Sequence, residues 1–142
     1  MRENSIAVTK ILEAYKKAVF EKDVDAFMLL YDKDARIFDT WGVWLFEGSD
    51  ARLPVIQGWL GSLGSKRVIV NFDDVLVTSN HEIAIVTAVG TYSAISIDGV
   101  KLRSMQNRFT WALKLVDDSW RIIHEHTSVP IANDLTATLI RD

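Results

Sequence analysis

The densest chemistry in the chain is the run His124-Glu125-His126. On a strand, alternate side chains point to opposite faces, so both imidazoles share one face and Glu125 takes the other. Such a pair reads as part of a metal site or as an interface or core pair. A third ligand is not obvious, because His81 falls in a predicted turn, so no metal is expected. A histidine beside Asp39 or Glu125 would make a general base, although no Ser/His/Asp order is visible. Trp41, Trp44 and Trp59 crowd a second region. Their rings either form the mouth of a pocket and stack on a planar ligand or fill a core. Asp39 opens the run Asp39-Thr40-Trp41-Gly42, where an aspartate can serve simply to stabilise a turn. Asp73-Asp74 and Asp117-Asp118 read as solvated bulge and turn residues without the spacing of a calcium loop. The glycines are scattered and form no phosphate-cradling G-x-G-x-x-G.

The chain that must position these residues has 142 of them, which predicts one domain over 1–142 with a core of its own. Apolar residues make up 49% and charged residues 25%, a balance that argues against disorder. The net charge of −3 has no basic footprint, so nucleic acid is not an expected partner. With no cysteine, disulfide scaffolds, thiolate metal sites, iron–sulfur clusters and cysteine nucleophiles are excluded. That usage fits a reducing cytosol, and a cytoplasmic location is expected. The opening MRENSIAVTK has no apolar h-region, and no run of about 18 apolar residues follows, so neither a signal peptide nor a membrane span is expected.

The first part of the chain reads mostly as helix. Residues 5–20 place Ile6, Ile11, Leu12, Tyr15, Val19 and Phe20 near one stripe, with Asn4 or Ser5 as the cap. Asp23 caps a second helix, Val24–Tyr31. Ala35–Phe38 and Val43–Phe46 are short strands. A third helix starts at Gly48-Ser49-Asp50 and runs to about Leu63, with Pro54 tolerated in its first turns. From Arg67 the period becomes two. The expected strands are Arg67–Thr78 (bulged near Asp73-Asp74), Ile83–Ile97, Lys101–Val116 and Trp120–Val129, with a hairpin signal at Asp98-Gly99. Helices followed by a meander of long antiparallel strands read as α+β, with three helices packed on the concave face of a curved sheet. A curled sheet closed by helices makes a cone with a pocket inside.

The face assignment decides which residues meet a ligand. On Lys101–Val116 the set Met105, Phe109, Trp111, Leu113 and Leu115 should face the helices. A three-residue loop at Asp117-Asp118-Ser119 puts Trp111 opposite Glu125 and Phe109 opposite Thr127, so that Ile123, Glu125 and Thr127 face the pocket. A two-residue loop reverses this and turns His124 and His126 inward. A Glu125 inside an apolar cone needs a partner, for which Arg52 and Asn107 are the candidates. In the first register the outer face carries Arg108, Thr110, His124 and His126, a mixed surface suited to a second copy, so a homodimer through that face is expected.

The order α-α-β-β-α followed by long strands resembles the nuclear transport factor 2-like superfamily, which includes ketosteroid isomerases, SnoaL-like polyketide cyclases and the association domain of calcium/calmodulin-dependent protein kinase II. The run from Trp120 to Pro130 looks like the closing strand of the SnoaL-like and association-domain branches. Gly48 after Phe46-Glu47 resembles the glycine that opens their third helix. Tyr15, Tyr31, Asp34-Ala35 and Asp39 match the ketosteroid isomerase pattern in type and spacing. The resemblance implies that Asp39 is a proton-transferring base and Tyr15 an oxyanion donor. The isomerases' second oxyanion acid falls on Trp111 or Thr110, neither of which is an acid. The arginines of the kinase association pocket fall on Thr87, Trp111 and Thr127, so an anion pocket of that type is not implied. A fold of this kind hosts many functions.

Two functions follow. The first is a SnoaL-like protein that binds a small, mostly apolar ligand and moves a proton without a cofactor, as an isomerase, cyclase or dehydratase does. Asp39 would be the base and Tyr15 the donor. Trp41, Trp44, Arg52, Trp59, Asn107, Phe109, Trp111, Glu125, Thr127 and, in the second register, His126 would shape the ligand site. The alternative is a non-catalytic module in which the same cone binds a metabolite or the sheet serves assembly.

Overall fold

A computed structural model describes residues 2–141, with side chains from Ser5 to Arg141. Helix α1 (Arg2–Glu21) carries Val8, Leu12, Tyr15 and Val19 at spacings of four, three and four. Those spacings put them on one stripe, and all are buried. The helix starts before the expected cap, so Asn4 and Ser5 lie inside it, and Ile6 falls off the stripe at 53% exposure. Asp23 does cap α2 (Val24–Met28), accepting from the Ala26 amide at 3.0 Å.

Helix α2 is shorter than its pattern predicts, and Tyr31 begins strand β1 (Tyr31–Phe38) instead of ending the helix. The cause is tertiary. The Ile122 amide donates to the Leu30 carbonyl at 2.9 Å and draws the backbone into the sheet. The next strand, β2, is only Phe46–Glu47, so Val43 and Trp44 lie in a loop and not in the strand expected there. Gly48, at φ 88°, turns the chain into α3 (Ser49–Gly61). That backbone is open to glycine, and a Cβ there would stand 3.0 Å from the Lys33 carbonyl oxygen.

Four long strands follow: β3 (Arg67–Ser79), β4 (Ile83–Ile95), β5 (Lys101–Val116) and β6 (Ser119–Ser128). They join β1 and β2 in one six-stranded sheet of order β2-β1-β6-β5-β4-β3. The sheet is mixed and not wholly antiparallel as expected, because β1 lies parallel to β6 with Ile37 beside Glu125. Register shifts at Asp73/Leu76, Ala94/Ile95 and Ala112/Leu113 bend the long strands into a curved sheet. The fold is thus α+β, and the helices and the inner sheet face enclose the core between them.

The β5–β6 register is reached by a route the sequence does not suggest. The turn has two residues, Asp117 and Asp118, both at positive φ as the tightest hairpin turns require. Alone, that turn would put His124 opposite Trp111. Ile123 is an extra residue on β6, and this bulge moves the pairing by one. Beyond it Trp111 faces Glu125 and Phe109 faces Thr127. Ile122, not Ile123, takes the buried position before the bulge.

After β6 the chain turns back on itself through Ile131 and Ala137, and the Leu139 carbonyl accepts from the Gln106 amide at 2.6 Å. No helix of the described residues is long and apolar enough to cross a membrane.

Candidate functional site

A cavity of about 620 Å³ opens between α1, α3 and the inner face of the sheet. Its size is that of a small-molecule site. Tyr15 enters from α1; Arg52, Val55 and Trp59 come from α3; Asp39 and Trp41 follow β1. The sheet supplies Val68, Tyr92, Ala94, Met105, Asn107, Glu125 and Thr127, and Leu139 of the returning segment stands at the rim.

Arg52 organises one end. Its Nη1 donates to Glu125 Oε2 at 3.0 Å, and its Nη2 pairs with Asp39 Oδ2 at 2.8 Å. Glu125 is 1% exposed, and both its oxygens are matched. The Tyr31 hydroxyl and the Trp111 indole N–H (3.0 Å) donate to Oε1. The placement follows from the strands: Ile37 and Glu125 are side by side on β1 and β6, which brings Asp39, two residues past Ile37, to the same end. Asp39 Oδ1 accepts from the Trp41 amide at 3.2 Å and from the Thr127 hydroxyl at 3.4 Å. The Thr40 amide donates in turn to Thr127 Oγ1 at 2.9 Å. Buried charges are tolerated only when paired and hydrogen-bonded in this way. Burial works against the Arg52 charge, but Glu125, then Tyr31 and Asp39, outweigh it and lift its pKa further above the usual arginine value. Arg52 is therefore a fixed cation.

The other end is phenolic. The Tyr15 and Tyr92 hydroxyls share a hydrogen bond of 2.8 Å, and Asn107 lies beside Tyr92. Burial, reinforced by Tyr92, Tyr31 and Glu125, raises the Tyr15 pKa well above that of a free phenol. Tyr31 and Tyr92 are raised chiefly by burial as well. These hydroxyls keep their protons at ordinary pH and act as neutral donors. Asn107 is 8% exposed, and its Oδ1 has no hydrogen-bond partner among the described residues.

Of the residues singled out in the sequence, the cavity gathers Tyr15, Asp39, Trp41, Arg52, Trp59, Asn107, Glu125 and Thr127. It does not gather Trp44, which is 96% exposed in the loop before β2. Phe109 and Trp111 do not line it either. Both are buried behind the wall, their rings 4.7 Å apart, and Trp111 acts only through its bond to Glu125. His126 lies on the outer face against the Phe38 ring, because the bulge turns it away. His124 meets the Arg36 carbonyl through Nδ1 at 2.7 Å. Asn107 is not the partner of Glu125; Arg52, Tyr31 and Trp111 are. No group of three or more His, Asp or Glu side chains placed to hold a metal occurs among the described residues. Sequence reasoning missed Tyr92, Lys66 and Arg103, which also line the cavity. Tyr92 was within reach, since the buried alternation Ala84, Val86, Ala88, Gly90 on β4 points it inward.

Solved structures share this architecture. A nuclear transport factor 2-like protein of unknown function from Pseudomonas putida is 17% identical, with a TM-score of 0.88 over 100% of this chain and 98% of that one. A protein from Xanthomonas campestris, described as a calcium/calmodulin-dependent protein kinase II association domain, is 19% identical, with a TM-score of 0.72 over 85% of this chain and 84% of that one. A Nostoc punctiforme protein of unknown function with a cystatin-like fold is 11% identical, with a TM-score of 0.73 over 92% and 93% of the two chains. At these identities the likeness shows the fold alone. No curated protein matches the chain in sequence. The family model of the SnoaL-like domain matches residues 8–132, nearly the whole chain, and on that match the chain belongs to the SnoaL-like domain family.

Proposed function

We propose that the chain binds a small, largely apolar carbonyl compound in its cavity and shifts a proton on it without a cofactor, as an isomerase, cyclase or dehydratase does. The observation that carries this reading is that Asp39 and Tyr15, brought from separate elements, open on one cavity whose lining also includes Trp41, Val55, Trp59, Leu63, Val68 and Met105. The Asp39 carboxylate would take a proton from the carbon next to the carbonyl. The Tyr15 hydroxyl would donate a hydrogen bond to the enolate oxygen that forms, and Asp39 would return the proton at a second carbon. Arg52 and Thr127 hold the Asp39 carboxylate in position. The hollow of a cone closed by helices suits such chemistry because it keeps water from the enolate.

The test is deuterium exchange from D2O into aromatic and alicyclic ketones, followed by NMR. Asp39→Asn should lower the exchange rate by about 100-fold or more, as loss of a general base does. Tyr15→Phe should lower it less. Wild-type rates in both variants would overturn the reading.

One observation favours a second reading. Asp39 is already held by Arg52 at 2.8 Å, which suits a structural ion pair in a pocket that only binds. Native mass spectrometry showing a retained small molecule, with no exchange on any ketone, would decide for it. Either reading is compatible with a homodimer through the outer sheet face, where Ile85 and Leu76 are exposed beside Thr110 and His126. Sedimentation at micromolar concentration tests that assembly.

A further inference from the structure

Strand β6 stops at Ser128, opposite Arg108, while β5 runs on to Lys101. Arg103, Met105 and Asn107 on that overhang line the cavity, as does Thr127 at the end of β6. The wall therefore has a gap on the side where β6 would have continued. The C-terminal segment fills it. The chain leaves β6 through Pro130, forms a small hairpin closed by the Ile131–Ala137 pair, and comes back to β5. There the Gln106 amide, which β4 leaves free, donates to the Leu139 carbonyl at 2.6 Å. Leu139 thus takes the place of a further β6 residue, and it joins Met105 in the cavity lining.

This segment is lightly held. From Pro130 to Arg141 every residue is exposed except Leu139, which is half-buried. Among the described residues three polar contacts tie it to the rest of the chain. They are the Gln106–Leu139 bond, the Arg141 amide on Gln106 Oε1 at 2.9 Å, and the Arg141 guanidinium on Asp73 Oδ1 at 2.8 Å. Both partners of the ion pair are exposed, where such pairs hold weakly and salt screens them. The hairpin's own bonds, from the Ala132 amide to Thr136 and from the Thr138 amide to Pro130, lie within the segment, so it can swing away without breaking them. A piece with so little buried apolar surface opens at far smaller cost than the whole fold.

We infer that residues 130–141 form a strap that gates the cavity: Leu139 closes the side gap at rest, and a ligand enters and leaves when Leu139 and Arg141 release β5 and β3. This shares with the proposed function only the premise that the cavity is a ligand site. None of the strap's three ties involves Asp39, Arg52 or Glu125, so the gate opens without disturbing the acid–arginine cluster. A gate of this kind sets the rates of entry and release.

The chain has no cysteine, so Met105→Cys puts a single thiol in the cavity wall beside Leu139. Its labelling by N-phenylmaleimide, a neutral aromatic probe, is timed by mass spectrometry in the full chain and in a chain ending at Thr138. Removing the residues after Thr138 should speed labelling by about fivefold or more. Asp73→Ala, which frees Arg141, should give a smaller gain in the same direction. Raising the salt from about 0.05 M to about 1 M should speed labelling in the full chain and leave the shortened chain unchanged. A buried thiol on α1, Val8→Cys, should stay as slow in the shortened chain as in the full one, which separates gating from general loosening. Equal Met105→Cys rates in the two chains would overturn the inference, and so would a matching rise at Val8→Cys. Should Met105→Cys fail to fold, Ala94→Cys on β4 lines the same cavity and takes its place. Gated labelling without deuterium exchange on any ketone would sink the proton-transfer reading and keep the strap. Exchange on ketones with ungated labelling would do the reverse.

Discussion

The two ends of the cavity are built on opposite terms. Around Glu125 each oxygen is met, by Arg52, Tyr31 and Trp111, and the acid is sealed from solvent. Around Asn107 the carbonyl oxygen is just as deeply set and meets nothing among the described residues. Saturated polar clusters specify a core, whereas a buried acceptor without a donor weakens its surroundings. The first end therefore reads as the fixture that holds the site together, and the second as the looser end, where the Tyr15 and Tyr92 hydroxyls satisfy only each other.

Breaking the saturated end should have the largest effect on stability. Arg52→Met leaves two carboxylates near each other without their cation, at a cost of about 3–5 kcal/mol. Thermal unfolding should move down by roughly 10 °C, and an unchanged midpoint would show that the cluster is not the fixture described. The phenolic end is tested by alkali. Tyr15, Tyr31 and Tyr92 hold their protons above the free value of 10.0, whereas the unfolded chain gives them up near it. The folded state then binds more protons than the unfolded one. Stability is full below pH 10 and falls as the pH climbs above it, by up to about 4 kcal/mol per pH unit for three such groups. Urea unfolding at pH 9 and pH 11 measures the slope, and Tyr92→Phe should make it shallower. The mildest change is Gly90→Ala at the phenolic end, where the new Cβ would stand 3.0 Å from Asn107 Oδ1 and 3.3 Å from a Tyr92 ring carbon. Such overpacking should cost about 1–3 kcal/mol, and an unchanged thermal midpoint would show that these neighbours yield freely.

Much of this arrangement is legible in the sequence. The switch from helical to alternating periodicity at Arg67, the cap at Asp23 and the bulge at Asp73-Asp74 are local signals, and the structure has all of them. Arg52 was legible as a partner of Glu125 because a carboxylate inside an apolar wall demands one. What was not legible depends on distant contacts. Tyr31 leaves its helical pattern because β6 captures the backbone beside it. Trp44 has the composition of a core residue, but nothing local shows that its loop stands away from the cavity. Phe109 and Trp111 point inward as their alternation suggests, yet other rings stand between them and the cavity.

The bulge at Ile123 makes the chemistry of the site a matter of parity. The turn before it and the extra residue within it each exchange the faces of β6, and together they cancel. If the strand kept its full length and ran straight, every residue from His124 onward would change sides, and the cavity would lose its acid and gain a pair of imidazoles. Losing a single codon between Trp120 and Ile123 would do nothing of the kind. It would take out the extra residue and bring Glu125 forward to face Trp111 again, so the acid would stay beside Arg52. The site is therefore guarded against a shorter strand and exposed to a straighter one.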